Sequence, residues 1–596
     1  MTQHLLLVSL GPVQDFIAQA RRTRDLWFGS HVLSMLSQTA AQALLRGGGE
    51  LIIPALPDGS EAGQGVPNKL MVLLRQGDPQ TLAQAARDAA KKHLREWGRE
   101  QWEKHPQLVN PASEATAQEQ LDTFLEFHAA WCAFSTPEEY AEALKHSEAA
   151  LAGHKRLRTF APWHHQRGGV HKSSLDGARE SVLAEGERHH GKWKQFRIGL
   201  REQLDAMGLL KRTGGEPGQF IPVPTIGLAA YTGRAHETAP KALEALVQAC
   251  GQLRGQEGPA LTRVRSGNKP WVNPFPFDAQ LLLPGRWSTH LEEQDVPREQ
   301  AAHFGKSFVQ PLLNALGEPF PYVACLVADG DKMGKVLQEL AKEGPEAHRR
   351  LSLKLSGFAA EARRIVEQHH RGVLVYAGGD DVLAFVCLPD ALSCAAQLRQ
   401  AFLCAMGEAL AGLDIHAPPT LSVGLGVGHV LESLGDLLAL GRSAEQLAKS
   451  EDRDGFALRA RLRSSTEHAW RMRWPEGPVE ALTRAIALRR EGRLPLTKVQ
   501  EVRGLLRRMP PSHTTLPEAQ RWGHVLSREV GRVLARVEIG TPGKGLLPSE
   551  AGLPLKPGAA LEDVHAQVTA WTECLALAEL FLRADPWPRQ AKGGVP

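Results

Sequence analysis

Two acidic turns, each placed directly behind an apolar run, limit what this chain can fold into more than any other feature. YVACLVA (322–328) runs into DGDKMG, and GVLVYA (372–377) runs into GGDD and out again through VLAFVCL. Apolar runs of this length bounded by Gly and Asp read as buried strands, the second pair enclosing a four-residue turn. Helical spacing follows DGDK and recurs in LSCAAQLRQAFLCAMGEAL; TLSVGLGVGHV (420–430) reads as a strand and LGDLLALGRSAEQLAKS (434–450) as a helix. The order β-α-β-β-α-β-α describes a ferredoxin-like palm. In such a palm Asp329 ends the first strand, Asp380 and Asp381 sit in the hairpin of its neighbours, and three carboxylates converge at one sheet edge.

Either turn alone is an ordinary asx turn or hairpin. Together they crowd like charges at one place, which is costly unless a cation neutralises them. Nucleotidyl transfer is the chemistry that needs such a place, because charge builds on phosphate oxygens that water stabilises poorly. Carboxylate oxygens select hard ions such as Mg²⁺ or Mn²⁺. Gly378 and Gly379 are expected to take positive φ and to remove the Cβ atoms that would hold a triphosphate away, and Gly330 to leave its carbonyl free as a further ligand.

Ahead of this region, LLLVSL (5–10) reads as a strand, with KLMVLL (69–74) and EFHAAWCAF (126–134) as further strands and helices around 79–104 and 137–151. The layout repeats: VSLGPVQDF stands where VADGDKMG stands and VPNKLMVL where YAGGDDVLAF stands, without the acids. The pattern weakens into Gly-, Pro-, His- and Trp-containing stretches from about 160 to 300, and beyond 459 it turns arginine-rich and helical (RARLR, RMR, ALRREGR, GLLRR) before a flexible RQAKGGVP tail. The expected fold is α/β (α+β): a degenerate palm over 1–160, a middle domain over 161–300, an active palm over 301–460 and a helical C-terminal domain over 461–596.

A chain of 596 residues is too long for one ordinary core. Its 70 basic and 66 acidic residues leave a formal charge of +4, which permits an anionic partner without demanding one. The N-terminus lacks a secretory signal, no stretch approaches a membrane span, and the seven cysteines include no CxxC pair. A reduced cytoplasmic protein with no membrane partner is the expectation. Arg21, Arg22 and Arg24 crowd one helix, and Arg459, Arg461, Arg463, Arg471, Arg473, Arg489, Arg490, Arg507 and Arg508 punctuate the expected C-terminal helices. They suit an RNA-holding surface or solvated, ion-paired faces equally well.

GPVQDFIAQARRTRDLWFGSHVLSMLS, VPNKLMVLL, ADGDKMGKVL, and YAGGDDVLAFV followed by TLSVGLGVGH and AEQLAKS resemble, in order and spacing over essentially residues 1–460, the GGDEF and nucleotidyl-cyclase palm superfamily. More specifically, the chain looks like the large cyclase-like subunit of type III CRISPR effector complexes, Cmr (III-B) branch. The resemblance implies a subunit that joins other Cmr subunits, guide RNA and target RNA, and that converts ATP into cyclic oligoadenylate in antiviral defence. It implies Asp329, Asp380 and Asp381 as metal-binding and catalytic acids, Gly330, Gly378 and Gly379 as nucleotide-binding positions, Ser422 as a nucleotide contact and Lys449 as a phosphate-binding lysine. Read without the resemblance, Lys449 is a solvated surface lysine.

The chain departs from its relatives in two places. None of its 24 histidines is followed by Asp, so an HD-type nuclease is not expected. Ser174 and Asp176 stand where a cysteine pair would hold zinc, so no structural zinc is expected; His164, His165 and His171 read as surface or RNA-facing side chains. Two rival readings remain: a nucleotide-binding scaffold without turnover, and a stand-alone cyclic-dinucleotide cyclase, although no RxxD precedes the GG.

Overall fold

A computed structural model describes residues 2–55, 66–157, 170–186, 191–216, 218–255, 258–450, 452–464, 466–510, 516–537, 545–553 and 555–585. The RQAKGGVP tail, His164 and His165 lie outside the described residues.

The first sheet holds β1 (Gln3–Gly11), β2 (Glu50–Ile53), β3 (Lys69–Leu74) and β4 (Glu126–Phe134), in the order β2-β3-β1-β4 and antiparallel throughout. Leu5, Leu6, Leu7 and Val8 are each fully buried because β1 is covered on both faces, which is why it carries an unbroken apolar run. One face meets α1 (Thr23–Arg46) and α2 (Pro79–Lys104), and the other meets α3 (Tyr140–Arg156). At the start of α1, Asp25 accepts the backbone N–H groups of Arg21 (3.1 Å) and Arg22 (3.0 Å). Asp78 caps α2 through Gln80 and Thr81, with Pro79 in the first turn.

The middle region is a set of short helices and turns. Its helix α4 (Ala206–Thr213) is pinned to α1 by a buried triad, in which the Arg212 guanidinium reaches Asp25 at 2.6 and 2.8 Å and Glu202 at 2.8 and 3.0 Å. Burial alone would push the Asp25 carboxyl up, but Arg212 outweighs it and holds the carboxyl below the usual range.

The second sheet comprises β5 (Tyr322–Gly330), β6 (Gly372–Gly378), β7 (Asp381–Cys387), β8 (Leu421–His429), β9 (Gly455–Arg461) and β10 (Glu467–Arg473). Its order is β10-β9-β8-β5-β7-β6, so the strands β6, β7, β5 and β8 repeat the β2-β3-β1-β4 order of the first sheet. Helices α5 (Met333–Leu340), α6 (Pro345–Arg364), α7 (Ala391–Ala409) and α8 (Leu434–Lys449) cover it, α8 on the face opposite α7. Among the described residues four helices follow: α9 (Pro478–Arg490), α10 (Leu496–Leu506), α11 (Leu516–Ala535) and α12 (Leu561–Ala584).

The first three residues of RARLR, and RMR, lie in strands rather than helices. Leu458 and Ala460 point into the core while Arg459 and Arg461 turn outward, an alternation of period two that β9 completes by pairing parallel to β8. The palm sheet therefore continues past residue 460, through Arg473. The C-terminal helices share one core with this sheet, through Leu482, Val499, Leu526 and Leu577 among others. No described helix is long and apolar enough to cross a membrane.

Candidate active site

The acids come together where β5 ends. Ala328 pairs with Val382 across β5 and β7, which brings Asp329 opposite Asp381 one step further on. The β6–β7 loop has two residues, not four: Gly379, at φ +67°, and Asp380. A glycine with positive φ at the first position is what so short a hairpin demands. Gly378 does not share that conformation. It ends β6, and a Cβ there would strike the Tyr376 ring, whose hydroxyl lies near Asp380 and Asp381. Gly330 serves approach instead: a Cβ on it would stand 2.7 Å from Asp380 Cβ.

Burial and the charge of Asp329 push the Asp380 carboxyl up to about 6. Asp381 is also raised, by burial first and then by a hydrogen bond to the Asp329 carboxyl. Like charges gathered this closely and this deeply buried repel, so the cluster carries more negative charge than its surroundings neutralise. The cation within reach is Lys449, in the last turn of α8, which pairs with Asp329 and, at 3.0 Å, with Glu445. Lys449 is thus no freely solvated surface lysine. Burial would lower its ammonium, but its two carboxylate partners raise it on balance.

Ser422 requires a correction. It sits opposite Asp329 in the β5–β8 register, yet it is fully buried, with Oγ 2.8 and 3.0 Å from the carboxylate oxygens of Asp331. A side chain so enclosed cannot contact a nucleotide. Asp331 itself, with Glu445 and Tyr376, escaped the sequence reading. The DGD turn presents two acids whose environments only the tertiary pairing separates.

In the first palm, superposing Gly11 on Gly330 puts Leu10 in the place of Asp329, and Ser9 pairs with Lys69 as Ala328 pairs with Val382. Leu10 is buried, and Asn68 and Pro67 fall where the hairpin acids would be. Only the second palm has the acids.

A separate cavity of about 1790 Å³ opens beside the other end of the second sheet, near Tyr322 and His429. It is lined by parts of the first palm, the middle region and the C-terminal end, with Arg24, Arg197, Arg201, Arg286, Arg463 and Arg583 among its side chains. Of the other arginines singled out by sequence, Arg461 pairs with Glu467, Arg473 with Asp452 and Arg489 with Glu579, as ion-paired faces do. His171 is exposed.

Two ferredoxin-like palms in tandem, the second alone bearing the acidic cluster, define a protein of the nucleotidyl-cyclase-like class. Residues 322–457 match the family described as Cas10/Cmr2, second palm domain, and residues 5–105 that described as CRISPR-associated protein Cmr2, N-terminal. The two palms of this chain are those of the Cas10/Cmr2 large subunit of type III CRISPR systems, Cmr branch. The Cmr subunit Cmr2 of Pyrococcus furiosus is 29% identical over 193 residues, and the match spans 28% of this chain and 22% of that protein. Among solved structures, a type III-B Cmr-beta complex in its apo state matches with a TM-score of 0.62 at 12% identity, covering 97% of this chain and 82% of the other. The Cmr-beta complex bound to cognate target RNA gives 0.64, 12%, 97% and 83%. At that identity the likeness establishes the fold.

Proposed function

We propose that the second palm synthesises cyclic oligoadenylate from ATP, with Mg²⁺ or Mn²⁺ bound, within a type III-B ribonucleoprotein that also contains other Cmr subunits, guide RNA and target RNA. The observation that carries this reading is the meeting of Asp329, Asp380 and Asp381 at the end of β5.

Among the described residues no three His, Cys, Asp or Glu side chains form a ready-made metal cage. The donor chemistry nonetheless fits. Mg²⁺ is usually held by one or two carboxylates, with waters and substrate phosphates completing its shell. The raised Asp380 and Asp381 mark a surplus of negative charge that a dication would relieve. When bound, the metal would supply charge neutralisation at the phosphate oxygens.

The chain's own residues supply the rest. Asp329, Asp380 and Asp381 would hold the metal, Lys449 would turn from Asp329 toward phosphate, and Gly379, with open space where a Cβ would stand, leaves the turn accessible to a triphosphate. The reaction is in-line attack of one ATP 3′-hydroxyl on the α-phosphate of another, with pyrophosphate leaving. The arginine-lined cavity at the far end of the sheet supports the RNA partner, because guanidinium groups bind phosphate bidentately.

The test is to incubate the assembled complex with guide, target RNA, Mg²⁺ or Mn²⁺ and each NTP, and to analyse products by mass spectrometry. Cyclic adenylate that requires target RNA and disappears in Asp380→Ala/Asp381→Ala is the expected result. Absence of product refutes turnover and leaves the scaffold reading, and equal product from that variant removes the chemistry from these acids.

A further inference from the structure

We infer that Asp331, the second acid of the DGD turn, is a positioning residue that joins the acid-bearing end of β5 to the lysine-bearing end of α8. The inference rests on the nucleotidyl-transfer reading and deepens it. Asp331 is 1% exposed, so it does not meet substrate, and every part of its carboxylate is occupied by groups from elsewhere in the fold. Thr420 Oγ1, just ahead of β8, donates at 2.8 Å, and Ser422 Oγ, near the start of β8, at 2.8 Å. The backbone N–H of Asp454 donates at 3.1 Å, and the Arg453 guanidinium lies 3.9 Å away. Its own backbone N–H donates to the Thr420 carbonyl at 2.7 Å.

These partners lie on either side of the reacting groups. Asp331 is two residues beyond Asp329, and Arg453 and Asp454 are four and five residues beyond Lys449. Backbone strain gathers at the same place. Of five non-glycine residues with positive φ among those described, three adjoin Asp331 or its partners: Lys332 (+62°), Arg453 (+59°) and Asp454 (+44°). Such conformations persist only where surrounding bonds over-determine them. The Asp331 carboxylate supplies that constraint to both segments at once, so it sets how Lys449 and Asp329 face each other. Asn is the same size but presents an amide N–H₂ to donors, so Asp331→Asn breaks the constraint without opening a cavity.

The test measures kcat and KM for ATP, with melting temperature, in the assembled complex. Asp331→Asn is expected to lower kcat by roughly 10–100-fold, the usual effect of losing a group that orients a metal-binding side chain, with KM changing by less than about 3-fold. Thr420→Val is expected to lose part of kcat, and Thr420→Ser, which keeps the hydroxyl, to retain it. Because Asp331 acts through the Lys449–Asp329 arrangement, Asp331→Asn should add less than about 3-fold to the loss in Lys449→Ala. A folded Asp331→Asn complex with full kcat overturns the inference, as does a double variant whose losses multiply. If the wild-type complex makes no product, the reading of the site fails, and the positioning role is judged on Mg²⁺-dependent binding of a fluorescent ATP analogue. A roughly 10-fold higher Mg²⁺ concentration for half-maximal binding of the analogue to Asp331→Asn supports it, and an equal Mg²⁺ requirement overturns it.

Discussion

The ammonium of Lys449, at the end of α8, pairs with the carboxylate of Asp329, at the end of β5. The two residues come from elements that pack directly on each other, Gly441 of α8 resting against Cys325 and Val327 of β5, so the pair reports the closure of the palm. Replacing Lys449 with Met leaves three acids without their cation. The pair is about a quarter exposed, which limits the stability loss to about 1 kcal/mol. In chelator the variant should melt a few degrees lower than wild type, and added Mn²⁺ should raise its midpoint more than that of wild type. Cyclic adenylate formation should fall at least about 10-fold. Unchanged product from Lys449→Met would remove the lysine from the proposed chemistry.

The Arg212 triad predicts a larger effect. Arg212→Met would leave Asp25 and Glu202 buried without the guanidinium that hydrogen-bonds both of them. Breaking such a pair costs on the order of 3–5 kcal/mol, so denaturant unfolding should show a clear drop in midpoint. A variant within about 0.5 kcal/mol of wild type would mean that water reaches the triad.

Acid should destabilise the protein through His429. Burial, with Arg463 nearby, lowers its imidazole from the usual 6.5 to about 4, and its Nδ1 accepts the Leu431 N–H at 3.1 Å. Below pH 6.5 the unfolded chain binds a proton that the folded chain refuses until about pH 4. The contribution is therefore complete above 6.5 and is lost as pH falls through that window, at up to about 1.4 kcal/mol per pH unit. His429→Asn keeps an acceptor near Nδ1 and should flatten the stability profile between pH 6.5 and 4 by one proton's worth. An unchanged slope would contradict the assignment.

The cavity arginines should govern RNA affinity rather than chemistry. Arg201→Ala with Arg463→Ala is expected to weaken RNA binding by the complex and to reduce the slope of log affinity against log salt by roughly 0.7 for each phosphate no longer neutralised. Binding isotherms at several salt concentrations decide this. An unaltered slope would place the RNA elsewhere.

The acidic cluster was legible in the sequence because both turns follow apolar strands and the strand order alone brings them together. The equivalence of the two palms was legible for the same reason. What the sequence concealed depends on long-range pairing. Nothing in DGD says which acid faces outward; that is decided by Thr420 and Ser422, the latter 91 residues away. Ser422 was misread for the same reason, since its strand was recognised but its burial was not. Frequent arginine disguised β9 and β10, whose period of two emerges only when β9 is set beside β8.

Along β8, Gly424 and Gly426 let α8 rest on the strand itself. A Cβ on Gly424 would fall within the backbone of Ala444 and Glu445, and one on Gly426 within that of Leu440 and Gly441. Lys449 is one turn further along the same helix. The spacing between lysine and acids is thus fixed by atoms that are missing, and a single methyl group added well away from the carboxylates would lift the helix that holds Lys449. Attention confined to residues touching a nucleotide would overlook two positions with almost no room for change.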